Sequence, residues 1–203
     1  MLEKEKFCRI NLTKKINLLL KFFLIYFLTS TYALAEVKEK LINQLISTKT
    51  LSFNFKQKIE GKEENGNCFI KYPLLMRCNY KNLKKKILIS NGRTVAIIKK
   101  KYKKIYFYPL KKTPLIIILD EKKILKLINN SSPTNIDSDK IEYEFLGKNS
   151  SKLIIIFDKN TFNLKGWKTK DSYSNDVSFI INNLKINNQI ADSFFKIPKE
   201  EDL

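Results

Sequence analysis

Histidine does not occur once in the 203 residues. Its absence removes the commonest general base and the commonest metal ligand. No G-x-S-x-G, P-loop or C-x-x-C pattern takes its place. Carboxylate pairs such as Glu63/Glu64, Asp137/Asp139 and Glu142/Glu144 fall in turns or on a polar strand face, where solvation explains them better than acid–base work does. Asp171, Ser172, Asn175 and Asp176 are turn residues. No catalytic residue, metal site or cofactor is expected, and the reading is against an enzyme. Arginine is also scarce: Arg9, Arg77 and Arg93 are the only three among 39 basic residues. A lysine-rich chain lacks the planar fork that reads bases and phosphates bidentately. The lysines are scattered among strands, so the net charge of +19 reads as a solvated surface, and no nucleic-acid partner is expected.

Long apolar runs are missing as well. The run Phe22-Phe23-Leu24-Ile25-Tyr26-Phe27-Leu28 falls well short of the roughly 20 residues that span a bilayer. It follows a basic segment (Lys4, Lys6, Arg9, Lys14, Lys15) and precedes the small-x-small box Ala33-Leu34-Ala35. This is the pattern of a cleaved signal peptide over residues 1–35, which predicts export to the periplasm with a cut after Ala35. Residues 36–203 then suit a single domain with a sizeable core. Of the three cysteines, the cut removes Cys8 and leaves Cys68 and Cys78.

The mature part is organised around residues 67–92, NCFIKYPLLMRCNYKNLKKKILISNG. Pro73 and Leu74 lie midway between the two cysteines, and both flanks alternate like strands. A hairpin folded there sets Cys68 opposite Cys78, within disulfide reach. An even count in an exported chain favours the bond; the alternative is two half-buried thiols. Asn91-Gly92 is a two-residue hairpin signal.

Residues 36–47 carry Val37, Leu41, Ile42, Leu45 and Ile46 at helical spacing. Period two begins at Leu51: Phe53, Phe55, Gln57 and Ile59 share one strand face. Residues 61–66 read as a polar turn. Strands are expected over 95–99 and 102–108, where Pro109 stops the run. Pro114 and the pattern that follows predict a helical insertion over 113–128, then a loop over 129–139. Strands resume around Ile141-Tyr143-Phe145, 153–157, 162–170 and 177–186. The fold class is therefore mainly β with short helices. A single large antiparallel sheet of this many strands curls, and the N-terminal helix and helical insertion are available to cover it. Phenylalanine and tyrosine, 14 and 9 residues, alternate along the strands; such a stripe is either plain core or, where only a few short helices fill a curled sheet, the lining of an apolar hollow.

Phe55-Lys56-Gln57, Lys71-Tyr72-Pro73, Arg77-Cys78-Asn79-Tyr80 and Ile89-Ser90-Asn91-Gly92, in that order and spacing, resemble the periplasmic outer-membrane lipoprotein carrier family, LolA. Residues 179–198, with Phe194-Phe195, look like its closing strands. The resemblance implies an unclosed half-barrel with a helical lid, which shields the acyl chains of lipoproteins across the periplasm. It implies an inner-membrane ABC transporter as releasing complex and an outer-membrane acceptor. On that reading the cavity wall is Phe53, Phe55, Ile59, Ile70, Met76, Ile87 and Ile89. The lid is Leu115, Ile116, Ile117, Ile118 and Leu119, and the protein works as a monomer. Tyr72 occupies the lid-latch position, where many members have arginine; it keeps one hydroxyl donor but no charged fork. Lys84-Lys85-Lys86 and residues 99–104 are candidate docking sites. Two other readings compete: a periplasmic regulatory sensor of lipidated ligands on the same fold, and a charge-driven protein of anionic surfaces.

Overall fold

The computed structural model describes residues 35–81, 85–146, 152–171 and 174–203. The targeting segment to residue 34, with Cys8, lies outside the described residues, as do Lys84 and Ser172. Helix α1 covers residues 35–47, as its apolar spacing predicts. The chain divides at Lys40. On the near side Glu36 and Lys40 pair at 2.6 Å across one helical turn. The compact unit Leu41–Leu203 begins with the rest of α1, where Leu41 and Leu45, one turn apart, are buried.

Eleven strands form one sheet. They are β1 (Thr50–Ile59), β2 (Lys62–Lys71), β3 (Leu75–Tyr80), β4 (Lys86–Asn91), β5 (Thr94–Lys99), β6 (Lys104–Pro109), β7 (Asn135–Ile136), β8 (Lys140–Leu146), β9 (Lys152–Asp158), β10 (Leu164–Lys170) and β11 (Asp176–Ile186). The spatial order is β6-β5-β4-β3-β2-β1-β11-β10-β9-β8-β7. Neighbours pair antiparallel throughout, so the sheet is two meanders sewn together where β11 pairs with β1. It stays open, with β6 and β7 as edges. The expected fold class is the one observed: an unclosed half-barrel with a helical cover.

Three local expectations are corrected. The polar turn over 61–66 is only the tight bend at Glu60-Gly61, and Gly66 lies inside β2, opposite Phe55. The insertion is two helices, α2 (Leu115–Ile118) and α3 (Glu121–Asn130). The break arises because the Asp120 carboxylate accepts the Lys122 N–H at 3.1 Å and caps a new helix. Phe194-Phe195 is not a closing strand but part of a 3₁₀ turn, Asp192–Phe195. Its backbone folds locally, the Phe194 N–H donating to the Ala191 carbonyl, because its apolar residues cover a sheet face instead of extending an edge.

The register sorts the side chains. Phe53 stands opposite Cys68, Cys68 opposite Cys78, Cys78 opposite Leu88, and Leu88 opposite Ile97. In the other direction Gln57 meets Phe179, Phe179 meets Trp167, Trp167 meets Ile155, and Ile155 meets Tyr143. Directly opposed residues share a face, so this set forms one inner face, and Phe53, Phe55, Phe179, Trp167 and Tyr143 on it are buried. The outer face over β8–β10 is ionic: Glu142 pairs with Lys140 at 3.1 Å and with Lys168 at 3.5 Å. The outer face over β4–β6 is apolar: Ile87, Ile89, Ala96, Ile98 and Ile105 form a second cluster beneath Ile197 and Leu203.

Candidate functional site

An aromatic row crosses the inner face. The Trp167 and Phe179 rings stack at 4.0 Å, and Phe179 stacks on Phe55 at 4.7 Å. Tyr80 meets Phe55 edge-on at 4.9 Å, and Phe53 meets Phe179 edge-on at 6.3 Å. Four strands, β3, β1, β11 and β10, thus contribute to one apolar ledge. Gly66 makes room for it: a Cβ there would lie 2.2 Å from the Asn79 carbonyl and 2.7 Å from the Phe55 ring. Gly166, at φ +153°, accompanies the register shift between Leu164 and Gly166, so that Leu164 and Trp167 are both buried.

Polar groups on this face are tied down. The Tyr80 hydroxyl donates to Gln57 Oε1 at 2.7 Å, and burial, followed by the Glu64 charge, pushes its phenol well above the ordinary value. Buried Ser90 donates its hydroxyl to the Leu74 carbonyl at 2.7 Å. Pairing these groups internally is what allows an apolar surface to stay dry.

The cover is α2, Leu119 and α3. Ile117, Ile118, Leu119, Ile124 and Ile128 are buried, while Leu115 and Ile116 are half-buried. Helix α3 packs against β8, whose buried Ile141 and Tyr143 lie on the inner face. The cover is clasped to the β2–β3 turn, where the Leu74 N–H donates to the Leu119 carbonyl at 2.7 Å. Two residues before Leu74, Tyr72 is buried; desolvation, then the Glu121 charge at the start of α3, raises its phenol well above the ordinary value. Its backbone N–H donates to the Lys49 carbonyl at 2.9 Å. Tyr72 therefore stays neutral beside the cover, and the hydrogen-bonded clasp is a backbone bond made by Leu74.

Of the wall residues expected from sequence, Phe53, Phe55, Ile70 and Met76 lie together on the inner face and are buried. Ile59 shares that face but is only half-buried at the end of β1. Ile87 and Ile89 are a correction. They oppose Asn79 and Arg77, so they lie on the outer face, under the C-terminal segment. The cause is the run Ile87-Leu88-Ile89, apolar on both faces; the inward positions are Leu88 and buried Ser90. Trp167 and Phe179 were missed. Alternation in β11 was visible, but nothing in a local period reports that β11 pairs with β1. Cys68 and Cys78 are directly opposite and joined as a disulfide. Among the described residues no cluster of three metal-binding side chains occurs, and no helix is long and apolar enough to cross a membrane.

By sequence, no curated relative matches the chain. Solved structures of similar fold include a LolA superfamily protein from Nitrosomonas europaea, at 9% identity and TM-score 0.45, covering 81% of this chain and 97% of that one. The lipoprotein LppX of Mycobacterium tuberculosis matches at 10% identity and TM-score 0.43, covering 79% and 98%. The Pseudomonas aeruginosa MucA/MucB complex matches at 9% identity and TM-score 0.46, covering 83% of this chain and 62% of that one. The family pattern "Outer membrane lipoprotein carrier protein LolA" matches residues 46–198, from the end of α1 to Pro198. That span holds the wall, the cover and the clasp, and the chain belongs to the LolA family.

Proposed function

We propose that this protein is a periplasmic carrier of acylated lipoproteins. A leader cut after Ala35 delivers it as a single working domain, 36–203. It takes its cargo from an inner-membrane ABC transporter, shields the acyl chains against the inner face, and passes them to an outer-membrane acceptor. It works as a monomer and needs no cofactor. The observation that carries this reading is an apolar cover, packed on β8 and clasped to the β2–β3 turn, on a sheet whose inner face bears an aromatic ledge. Acyl chains left in water cost about 0.8 kcal/mol per methylene. A dry ledge removes that cost, yet a carrier must also let go. The cover's own burial, about 1.5–3 kcal/mol for each large aliphatic side chain, competes with the cargo, so only the difference appears as affinity.

Native mass spectrometry of the protein isolated from its own periplasm tests the reading. The expected result is a fraction carrying acylated lipoprotein, released as free carrier by detergent. Protein isolated only in the free form, under conditions where a known carrier retains cargo, would count against it.

A further inference from the structure

Between Glu64 and Asp120 the chain has no acidic residue and carries fourteen lysines and arginines. Seven of those lysines cluster at β6: Lys99, Lys100, Lys101 and Lys103 before it, Lys104 as its first residue, Lys111 and Lys112 after it. Among the described residues none of these seven takes part in an ion pair; Lys99 instead sits over the Tyr106 ring at 4.9 Å. The acidic groups of the adjoining C-terminal turn are already engaged. Glu200 accepts the Ile105 N–H at 2.9 Å, Glu201 pairs with Lys199 at 3.0 Å, and Asp202 accepts the Lys199 N–H at 3.2 Å.

The same edge is aromatic. Tyr102, Tyr106, Phe107 and Tyr108 are exposed by 52%, 44%, 59% and 47%. Tyr106 and Tyr108, opposite Ile97 and Val95, stand on the inner side of that edge, and Phe107, opposite Ala96, on the outer side; aromatic side chains left in water on both sides of one edge strand, beside unpaired cations, mark the edge as a contact surface. Addition of a partner strand does not fit it. Outward-facing N–H groups alternate along an edge strand; Ile105 donates to Glu200, and Pro109 has no N–H. Phe107 is left as the outward donor between them, too little for a ladder. Recognition must therefore go through side chains.

We propose that the β6 edge, with the turn before it, is a docking surface for an anionic lipid bilayer. Unpaired lysines meet the headgroup charge, and Tyr102, Tyr106, Phe107 and Tyr108 enter the interface, the depth at which amphipathic aromatic rings settle. The surface lies at the opposite edge of the sheet from β7–β8, and the turn Leu110–Lys112 that follows β6 runs on into the first helix of the cover, α2. Tyr106 and Tyr108 stand on the inner side of that edge, so the lysine variants, which leave the aromatic residues of the inner face unchanged, are what separate this inference from the cargo reading.

The test is co-sedimentation of the protein, as isolated from its native cells, with phosphatidylglycerol/phosphatidylcholine vesicles and with pure phosphatidylcholine. Binding is expected only to the anionic vesicles, falling steeply with salt. A K100Q/K101Q/K103Q/K104Q variant is expected to lose roughly tenfold or more in affinity. A K58Q/K62Q/K122Q/K185Q variant, with the same change in net charge at other exposed sites, is expected to bind like the parent. A Y106S/F107S/Y108S variant is expected to bind weakly while keeping the salt slope. Equal loss in both lysine variants, no binding to anionic vesicles, or parental vesicle binding by the β6 variants with loss of a protein cross-link instead would each overturn the proposal.

Discussion

Gly66 and Phe55 act as one unit. The ring occupies the space that a side chain at 66 would need, and the Asn79 backbone closes the other side. A Gly66→Ala variant must move backbone as well as the ring, so a loss of about 1–3 kcal/mol is expected, read as a fall in melting temperature; a parental melting curve would contradict the close approach. Truncating the ring itself should cost more. Phe55→Ala is expected to destabilise by about 3–5 kcal/mol, because Phe55 contacts both Tyr80 and Phe179. Denaturant titration measures this. At this scale the sequence was half legible. Alternation puts Phe53 and Phe55 on one strand face, and both are buried there. Gly66 reads as turn in the sequence because its polar neighbours mask a strand. Ile87 and Ile89 were assigned inward because three consecutive apolar residues carry no face information until the partner strand supplies the register.

At the scale of elements, the cover and the β2–β3 hairpin matter most. Asp120 ends one helix and begins the next, and replacing it by alanine removes the α3 cap at a cost of about 1 kcal/mol. Hydrogen exchange is expected to quicken over 115–130 in Asp120→Ala while β1 and β11 keep their protection; uniform change across the sheet would show that the cover is not a separate unit. The disulfide closes a separation of ten residues. Replacing both cysteines by serine is expected to cost about 3 kcal/mol in the chain-entropy account, checked by thermal melting with and without reductant. The hairpin was legible because its register depends on a turn a few residues away. The split into α2 and α3 was not, because the run Leu115-Ile116-Ile117-Ile118-Leu119 has no period that marks a stop, and Asp120 declares itself as a cap only once the Lys122 N–H is seen to donate to it.

For the whole molecule, the two faces of the sheet carry different dependences. The outer face over β8–β10 is held by charge. Burial is the largest influence on Glu142 and raises its carboxyl, but Lys140, Lys168 and Asn135 together outweigh it and hold the group below its ordinary value of about 4.5. The folded form therefore stays ionised where the unfolded chain has begun to take up a proton. The stability from this group is complete above the ordinary carboxylate range and is lost as the pH falls through the lowered value. Melting temperature is expected to drop between about pH 5 and pH 3, and the drop is expected to be shallower in Glu142→Gln; an unchanged acid limb would remove Glu142 from that account. The open antiparallel sheet was legible from strand count and turn chemistry. The seam between β11 and β1 was not, because it joins residues far apart in the chain, and the aromatic row across that seam was hidden with it. The inner face depends instead on exclusion of water, and Trp167, the sole tryptophan, lies buried in that row. Titrating the protein with a synthetic diacylated lipopeptide while following Trp167 emission is therefore the most direct measurement. A saturable change with the acylated peptide, absent with the same peptide deacylated, is the predicted result; an emission spectrum indifferent to the acyl chains, or equally responsive to both peptides, would contradict it.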